Sequence, residues 1–153
     1  MKELKDYRKS LIEKLVNTAR DFRAASLAVK DPYIPLEEGG WNVHQVAVHT
    51  RDVDHLVYGL RARRTVGEDN PEFQNFDGDA YMAGHYNAGE SLSEMLNEFV
   101  ENVESLGEML QTLPDEAWSR QSRHVTLGSG FTLQTWVERS LAHIEEHLEA
   151  VKK

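Results

Sequence analysis

Between Ser91 and Leu113 the chain reads SLSEMLNEFVENVESLGEMLQTL, with apolar residues at Leu92, Met95, Leu96, Phe99, Val103, Leu106 and Leu110. Steps of three and four gather these side chains on one face of an α-helix and on no face of a strand. Ser91 and Glu94 have the spacing of a capping box at its start, and Pro114 stops it.

Three further stretches carry the same period. Residues 2–29 place Leu4, Tyr7, Leu11, Leu15, Ala19, Phe22 and Leu27 three to five apart, until KDPYIPLEEGG breaks the helix. A second helix starts at WNVHQ, with Asn42 as cap, Gln45 completing a capping box and Trp41 packing back as a staple, and runs to about Arg64. The last runs from its cap Thr132 to Val151; ahead of it, PDEAW reads as a short helical turn and SRHVTLGSG as a link, its GSG a turn and nothing more. From Thr65 to Gly89 the chain is rich in Gly, Asn, Asp and aromatic residues without a sustained period. This reads as a long loop with one short helical turn, and loops of that length in small domains usually have a task. With no alternating strand pattern, the expected fold is all-α: a four-helix bundle with a long crossover connection between helices 2 and 3, long enough to run the ~30 Å of one helix.

Composition narrows the function classes. The 153 residues, 40% apolar and 28% charged, suit one globular domain over residues 1–153. With 26 acidic against 17 basic residues, a net charge of -9 and no basic run longer than RARR at Arg61 to Arg64, nucleic acid is not an expected partner. Cysteine is absent, which removes disulfides, thiolate metal ligands and cysteine nucleophiles and fits a reducing compartment. Charges interrupt every apolar run of the N-terminus and no stretch approaches a membrane span, so a cytoplasmic location is expected.

The histidines carry the chemistry. At about 100° per residue, Leu133, Val137, Ser140, Ile144, Leu148 and Val151 form the buried stripe of the last helix. Trp136, His143 and His147 lie along its margin, while Glu145 and Glu149 point away. On the second helix the apolar face is Val46, Thr50, Val53, Val57 and Leu60, with His49 at its edge and His44 and His55 together on the far, solvated side. His85 and His124 fall in loops. Two inward neutral rings without partners would cost about 1–3 kcal/mol each, so something inside should satisfy them. Three inward imidazoles, His49, His143 and His147, suit a metal site that keeps one position open.

GWNVHQVAVHTRDVDHLVYGLRARR, with histidine eight residues after Trp41, and GSGFTLQTWVERSLAHIEEHLEAV, with Gly-x-Thr-Leu and His-x-x-x-His, resemble the opening and closing motifs of the DinB-like (YfiT-like) metal-binding proteins. The resemblance spans about Gly40 to Val151. It implies a four-helix bundle with a crossover, often a homodimer, that holds a divalent metal such as zinc or nickel on His49, His143 and His147. It further implies the reaction types of that family: thiol S-transfer with a low-molecular-weight thiol, isomerisation of maleylpyruvate, or hydrolysis.

A cation on three neutral imidazoles keeps its full charge, and lowers the pKa of bound water from near 16 to about 7 or stabilises a thiolate. Without cysteine, a thiolate has to arrive on a small cosubstrate. Asp52, one turn after His49, and Glu146, beside His143 and His147, are the carboxylates best placed to orient the imidazoles or act as general base. Trp136 reads as core packing, and Tyr58 and Arg61 as surface. HIEEH also satisfies the inverted zincin pattern H-x-x-E-H, but only six residues follow His147 to supply a third ligand and a cleft, so a protease is rejected. The expected function is therefore a metal-dependent thiol S-transferase or hydrolase acting on a small electrophile. The alternatives are a non-catalytic bundle that sequesters a metal or ligand, and a dimerisation module without metal.

Overall fold

Asn42 opens the second helix as its sequence requires: its Oδ1 accepts from the Gln45 N–H at 2.8 Å, and Gln45 Oε1 accepts from the Asn42 N–H at 2.9 Å. Thr132 caps the last helix by accepting from the Thr135 N–H at 3.2 Å, and Ser91 caps the third by accepting from the Glu94 N–H at 3.3 Å. The computed structural model describes residues 2–153. In chain order the elements are α1 (Lys2–Ala28), α2 (Val43–Val53), a π-helical turn (Asp54–Tyr58), α3 (Gly59–Gly67), β1 (Glu72–Phe73), α4 (Gly78–His85), α5 (Leu92–Gln111), a 3-10 turn (Asp115–Ser119), β2 (Gln121–His124), β3 (Gly128–Thr132) and α6 (Leu133–Lys152). The π turn joins α2 and α3 into one long second helix.

The architecture is a four-helix bundle. α1 packs against α5 and α6, and the second helix packs against the same two from the other side. Consecutive helices of the first and last pairs therefore lie across the bundle diagonal, and the crossover between α3 and α5 joins neighbours. Leu15, Phe22, Leu96, Phe99, Leu106, Leu133 and Ile144 meet in the centre with at most 1% of their surface exposed. In α1 the buried stripe runs through Arg8, Leu11, Ile12, Leu15, Thr18, Ala19, Phe22 and Ser26. Tyr7 and Leu27, expected on that face, stand outside it; Tyr7 donates its hydroxyl hydrogen to Glu138. Among the described residues no helix is long and apolar enough to cross a membrane.

The crossover and the last link are more ordered than their composition suggests. The crossover contains β1 and the two-turn helix α4, capped by Asp77 through the Ala80 N–H at 3.1 Å. β1 pairs parallel with β2, and β2 pairs antiparallel with β3, with a bulge between Ser122 and Arg123. These strands escape a periodicity search because the inward positions of β2 are Ser122 and His124, both polar, and because β3 is built on Gly128 and Gly130 at φ +97 and +87. GSG is thus strand rather than only a turn. The sheet encloses Trp136: its Nε1 donates to Ser122 Oγ at 2.7 Å, Phe131 stacks on it at 4.9 Å and Phe73 meets it edge-on at 5.6 Å.

The π turn changes which residues of the second helix face inward. The Gly59 N–H bonds to the Asp54 carbonyl, five residues back. A Cβ at Gly59 would lie 2.8 Å from that oxygen, so this position is open to glycine and closed to other residues without a shift. The extra residue rotates everything downstream by about 100°. Leu60, expected on the apolar face, is 42% exposed, while Arg61, Ala62 and Thr65 turn inward. Asp54 is buried at this joint, where its Oδ1 accepts from Ser140 Oγ at 2.7 Å. Burial pushes its carboxyl up to about 6 despite the opposing hydrogen bond from Ser140.

Glycine to alanine in an ordinary helix interior stabilises by up to about 1 kcal/mol. Gly59→Ala should instead destabilise by about 1–3 kcal/mol, the usual effect of overpacking. Chemical denaturation of the two proteins checks the sign.

Candidate metal centre

Helix α6 presents His143 and His147 one turn apart, so their rings share a face. Their Nε2 atoms face each other at 3.1 Å. His49 reaches them from α2, with ring centroids 5.5 Å from His143 and 4.9 Å from His147. One nitrogen from each of the three rings falls within 4.8 Å of the others. Trp41 packs on His49 at 5.0 Å, and Gly78 leaves the space on another side, where a Cβ would stand 3.0 Å from His49 Cε1. Tyr58 covers His143 at 5.2 Å.

This donor set fits a cation. Two nitrogens bonded at about 2.0–2.1 Å to one tetrahedral ion lie about 3.3 Å apart, close to the separation of the paired Nε2 atoms. His49 Nδ1 and His143 Nδ1 are buried with no hydrogen-bond partner. Within the His143–His147 pair no arrangement of protons satisfies all four ring nitrogens, because either tautomer of His143 leaves its Nδ1 unmatched. Burial, aided by His147 and His49, pushes His143 down to about 3, and burial with His49 pushes His147 down to about 4. His49 is also lowered by burial, against the opposing pull of Asp79, Asp52 and Glu146. All three rings are neutral at pH 7, the state in which imidazole binds metals.

The carboxylates flank the cluster without joining it. Asp52 Oδ1 is held by Arg51 Nε at 2.9 Å, and Arg51 also pairs with Glu90. Glu146 is exposed and makes no hydrogen bond or ion pair among the described residues. Asp79, at the start of α4, acts on His49 more strongly than either, and the composition of the crossover carried no signal that would single it out.

Other histidines fall differently from their helical-wheel positions. His44, expected in solvent, is fully buried; its Nε2–H donates to the Glu90 carbonyl at 2.8 Å and its Nδ1 accepts from the Tyr86 hydroxyl at 2.6 Å. The wheel placed it opposite the bundle core, but the segment after α4 folds back over that face. His55 is exposed, as expected. His85 ends α4, stacked on Tyr81 at 3.9 Å, and His124 closes β2 with 6% of its surface exposed. Nor is Arg61 a surface residue. With Tyr58, Arg139, His124, His49 and His143 it lines a pocket of about 340 Å³ beside the cluster.

Fold and site together define a class: a helical bundle with an all-histidine centre at the joint of its second and last helices. The sequence profile of the DinB superfamily matches residues 14–151, and the chain belongs to that superfamily. Among solved structures, YfiT from Bacillus subtilis is similar at a TM-score of 0.86 and 22% identity, over 96% of this chain and 85% of that one. YfiT is described as a probable metal-dependent hydrolase with an unusual four-helix bundle topology. At that identity the likeness establishes the fold. Curated proteins give no significant match.

A pH dependence follows from the buried imidazoles. Their folded pKa values lie below the unfolded value of 6.5, so their contribution to stability is complete above about 6.5 and is lost as pH falls toward about 4 and then about 3. Asp54 acts in the opposite sense, its contribution being lost as pH rises through about 6. Comparison of metal-free wild type with His143→Ala/His147→Ala isolates the histidines. The wild type should lose at least about 2 kcal/mol more than the double variant between pH 7 and pH 4, measured by urea unfolding.

Proposed function

We propose that this protein is a divalent-metal-dependent enzyme of hydrolase or thiol S-transferase type, acting on a small electrophilic molecule. The observation that carries the reading is the meeting of three neutral imidazoles, from two helices, with one nitrogen of each within 4.8 Å of the others. His49, His143 and His147 would hold the metal, zinc or nickel suiting a nitrogen donor set. Once bound, such a cation supplies Lewis acidity and a nucleophile near neutral pH.

The chain's own residues supply the remaining functions. Glu146, exposed and without a hydrogen bond or ion pair among the described residues, is the general base in this reading, while Asp52, shared with Arg51, holds negative potential near His49. Trp41, Tyr58 and Gly78 fix the rings and limit water on the cluster. The pocket beside His143 admits a small molecule at the lower end of the usual size for ligand sites. The absence of cysteine leaves any thiol to a low-molecular-weight cosubstrate, and fits action in the cytoplasm. A homodimer is part of this reading on the strength of the motif resemblance alone.

Elemental analysis of protein purified without chelator should find about one zinc or nickel per chain, and His143→Ala should reduce it at least tenfold while the fold is retained. The loaded protein should turn over activated esters or couple a low-molecular-weight thiol to an electrophile, and Glu146→Gln should slow that turnover by about 10²-fold or more. Metal content equal in wild type and His143→Ala would refute the reading.

A further inference from the structure

Asp79, Asp52 and Glu146 are the carboxylates whose charges reach His49, and none of them lines the pocket beside the cluster. That pocket holds positive groups that no carboxylate neutralises.

Arg61 is 8% exposed; its guanidinium donates one hydrogen bond, to the Gln74 carbonyl at 2.9 Å, and lies over Trp136 at 4.9 Å and Phe73 at 5.7 Å. Arg139, one turn before His143, lies over Phe131 at 5.2 Å and Trp136 at 5.9 Å. Neither has an ion-pair partner among the described residues, although acidic residues outnumber basic ones 26 to 17. In a chain with that excess, two converging arginines without a carboxylate leave a vacancy for one. Each guanidinium has five N–H donors, most of them unspent here.

His124 adds a third donor. Its Nδ1 accepts from the backbone N–H groups of Thr126 and Leu127, both at 3.1 Å. A ring nitrogen that accepts two hydrogen bonds carries no proton, so the hydrogen sits on Nε2, which has no hydrogen-bond partner among the described residues. Burial, Arg61 and Arg139 all hold this ring below its ordinary pKa, which keeps the neutral Nε2–H form. Arg61, Arg139 and His124 line the same pocket of about 340 Å³ as His49 and His143.

We propose that this pocket is an oxyanion-binding subsite: Arg61, Arg139 and the Nε2–H of His124 take the carboxylate or phosphate group of a small substrate whose reactive part lies against the three histidines. The anion site stands on the two arginines; only the placement of the reactive part rests on the metal-centre reading above. The π turn is what brings Arg61 here. His49 and Arg61, twelve residues apart, would differ by about 120° in an uninterrupted α-helix, and by about 20° once one residue is absorbed in the wider turn.

Titration calorimetry on the full chain tests this, with glutarate and inorganic phosphate as probes and glutaramide as the uncharged control. Measurements are made after chelation and again after zinc loading. Glutarate, phosphate or both should bind the chelated protein, and glutaramide should not; the anion that binds identifies the group recognised. Arg139→Gln, at an exposed position, should weaken that binding about tenfold, the scale of one charge-assisted hydrogen bond. Arg61→Gln should weaken it at least as much if circular dichroism shows it folded, and Arg20→Gln, which removes a remote surface arginine, should leave it unchanged. Equal binding by wild type and Arg139→Gln, equal binding of glutarate and glutaramide, or binding of neither anion would overturn the proposal. Anion binding without zinc binding would overturn the metal reading alone, and zinc binding without anion binding would overturn this one alone.

Discussion

The second helix has to meet α6 on one face over its whole length, and a regular α-helix of this sequence does not do so. Its first half brings His49 to the histidines of α6; its second half would then offer Leu60 to the core and turn Arg61 away. The π turn at Asp54–Tyr58 corrects the phase by one residue, and Gly59 is the residue that allows the Asp54 carbonyl to come so close. The local backbone and the site are thus one problem. Wide helical turns weaken a helix and are kept where they re-aim side chains, and here what is re-aimed is the wall of the pocket. Asp54 sits at the same joint, with its carboxyl satisfied by Ser140 of α6, so the turn is also tied to the helix that carries the other two histidines.

Burial then sets the electrostatics. Three imidazoles packed together repel one another's protons, and the surrounding Trp41, Tyr58 and bundle core add the cost of desolvation, so each ring stays neutral. The Nδ1 atoms of His49 and His143, buried without a hydrogen-bond partner, carry a desolvation cost of their own. A cation held on one nitrogen of each ring would add its binding energy to folding. Asp79, Asp52 and Glu146 act on His49, while the pocket beside the cluster is lined by Arg61, Arg139 and His124 and by no carboxylate.

Much of this was legible in the sequence, and the parts that were not have physical reasons. The four helices announced themselves through periodicity and caps, and Asn42, Ser91 and Thr132 sit where their side chains bond the helix starts. His143 and His147 could be placed because α6 is uninterrupted, and His49 because it precedes the π turn. Leu60, Tyr58 and Arg61 were misplaced because they lie in or after it, where a fixed angle per residue fails. His44 was misread because a helical wheel sees one helix and not the segment that folds over it; its partners, Tyr86 and the Glu90 carbonyl, lie more than 40 residues away. The sheet was missed because its inward residues are Ser122 and His124, and because its value lies in wrapping Trp136 rather than in burying an apolar face of its own.

The proposed chemistry depends on three histidines converging on one cation while a position stays free. X-ray absorption at the zinc edge of the loaded protein addresses this directly, since imidazole rings give a characteristic multiple-scattering pattern. The expected spectrum contains three imidazoles at about 2.0 Å and a single additional light donor, as an open tetrahedral site requires. A shell of oxygen donors with no imidazole contribution, or with one, would show that the cation binds elsewhere and that the convergence of His49, His143 and His147 serves packing only.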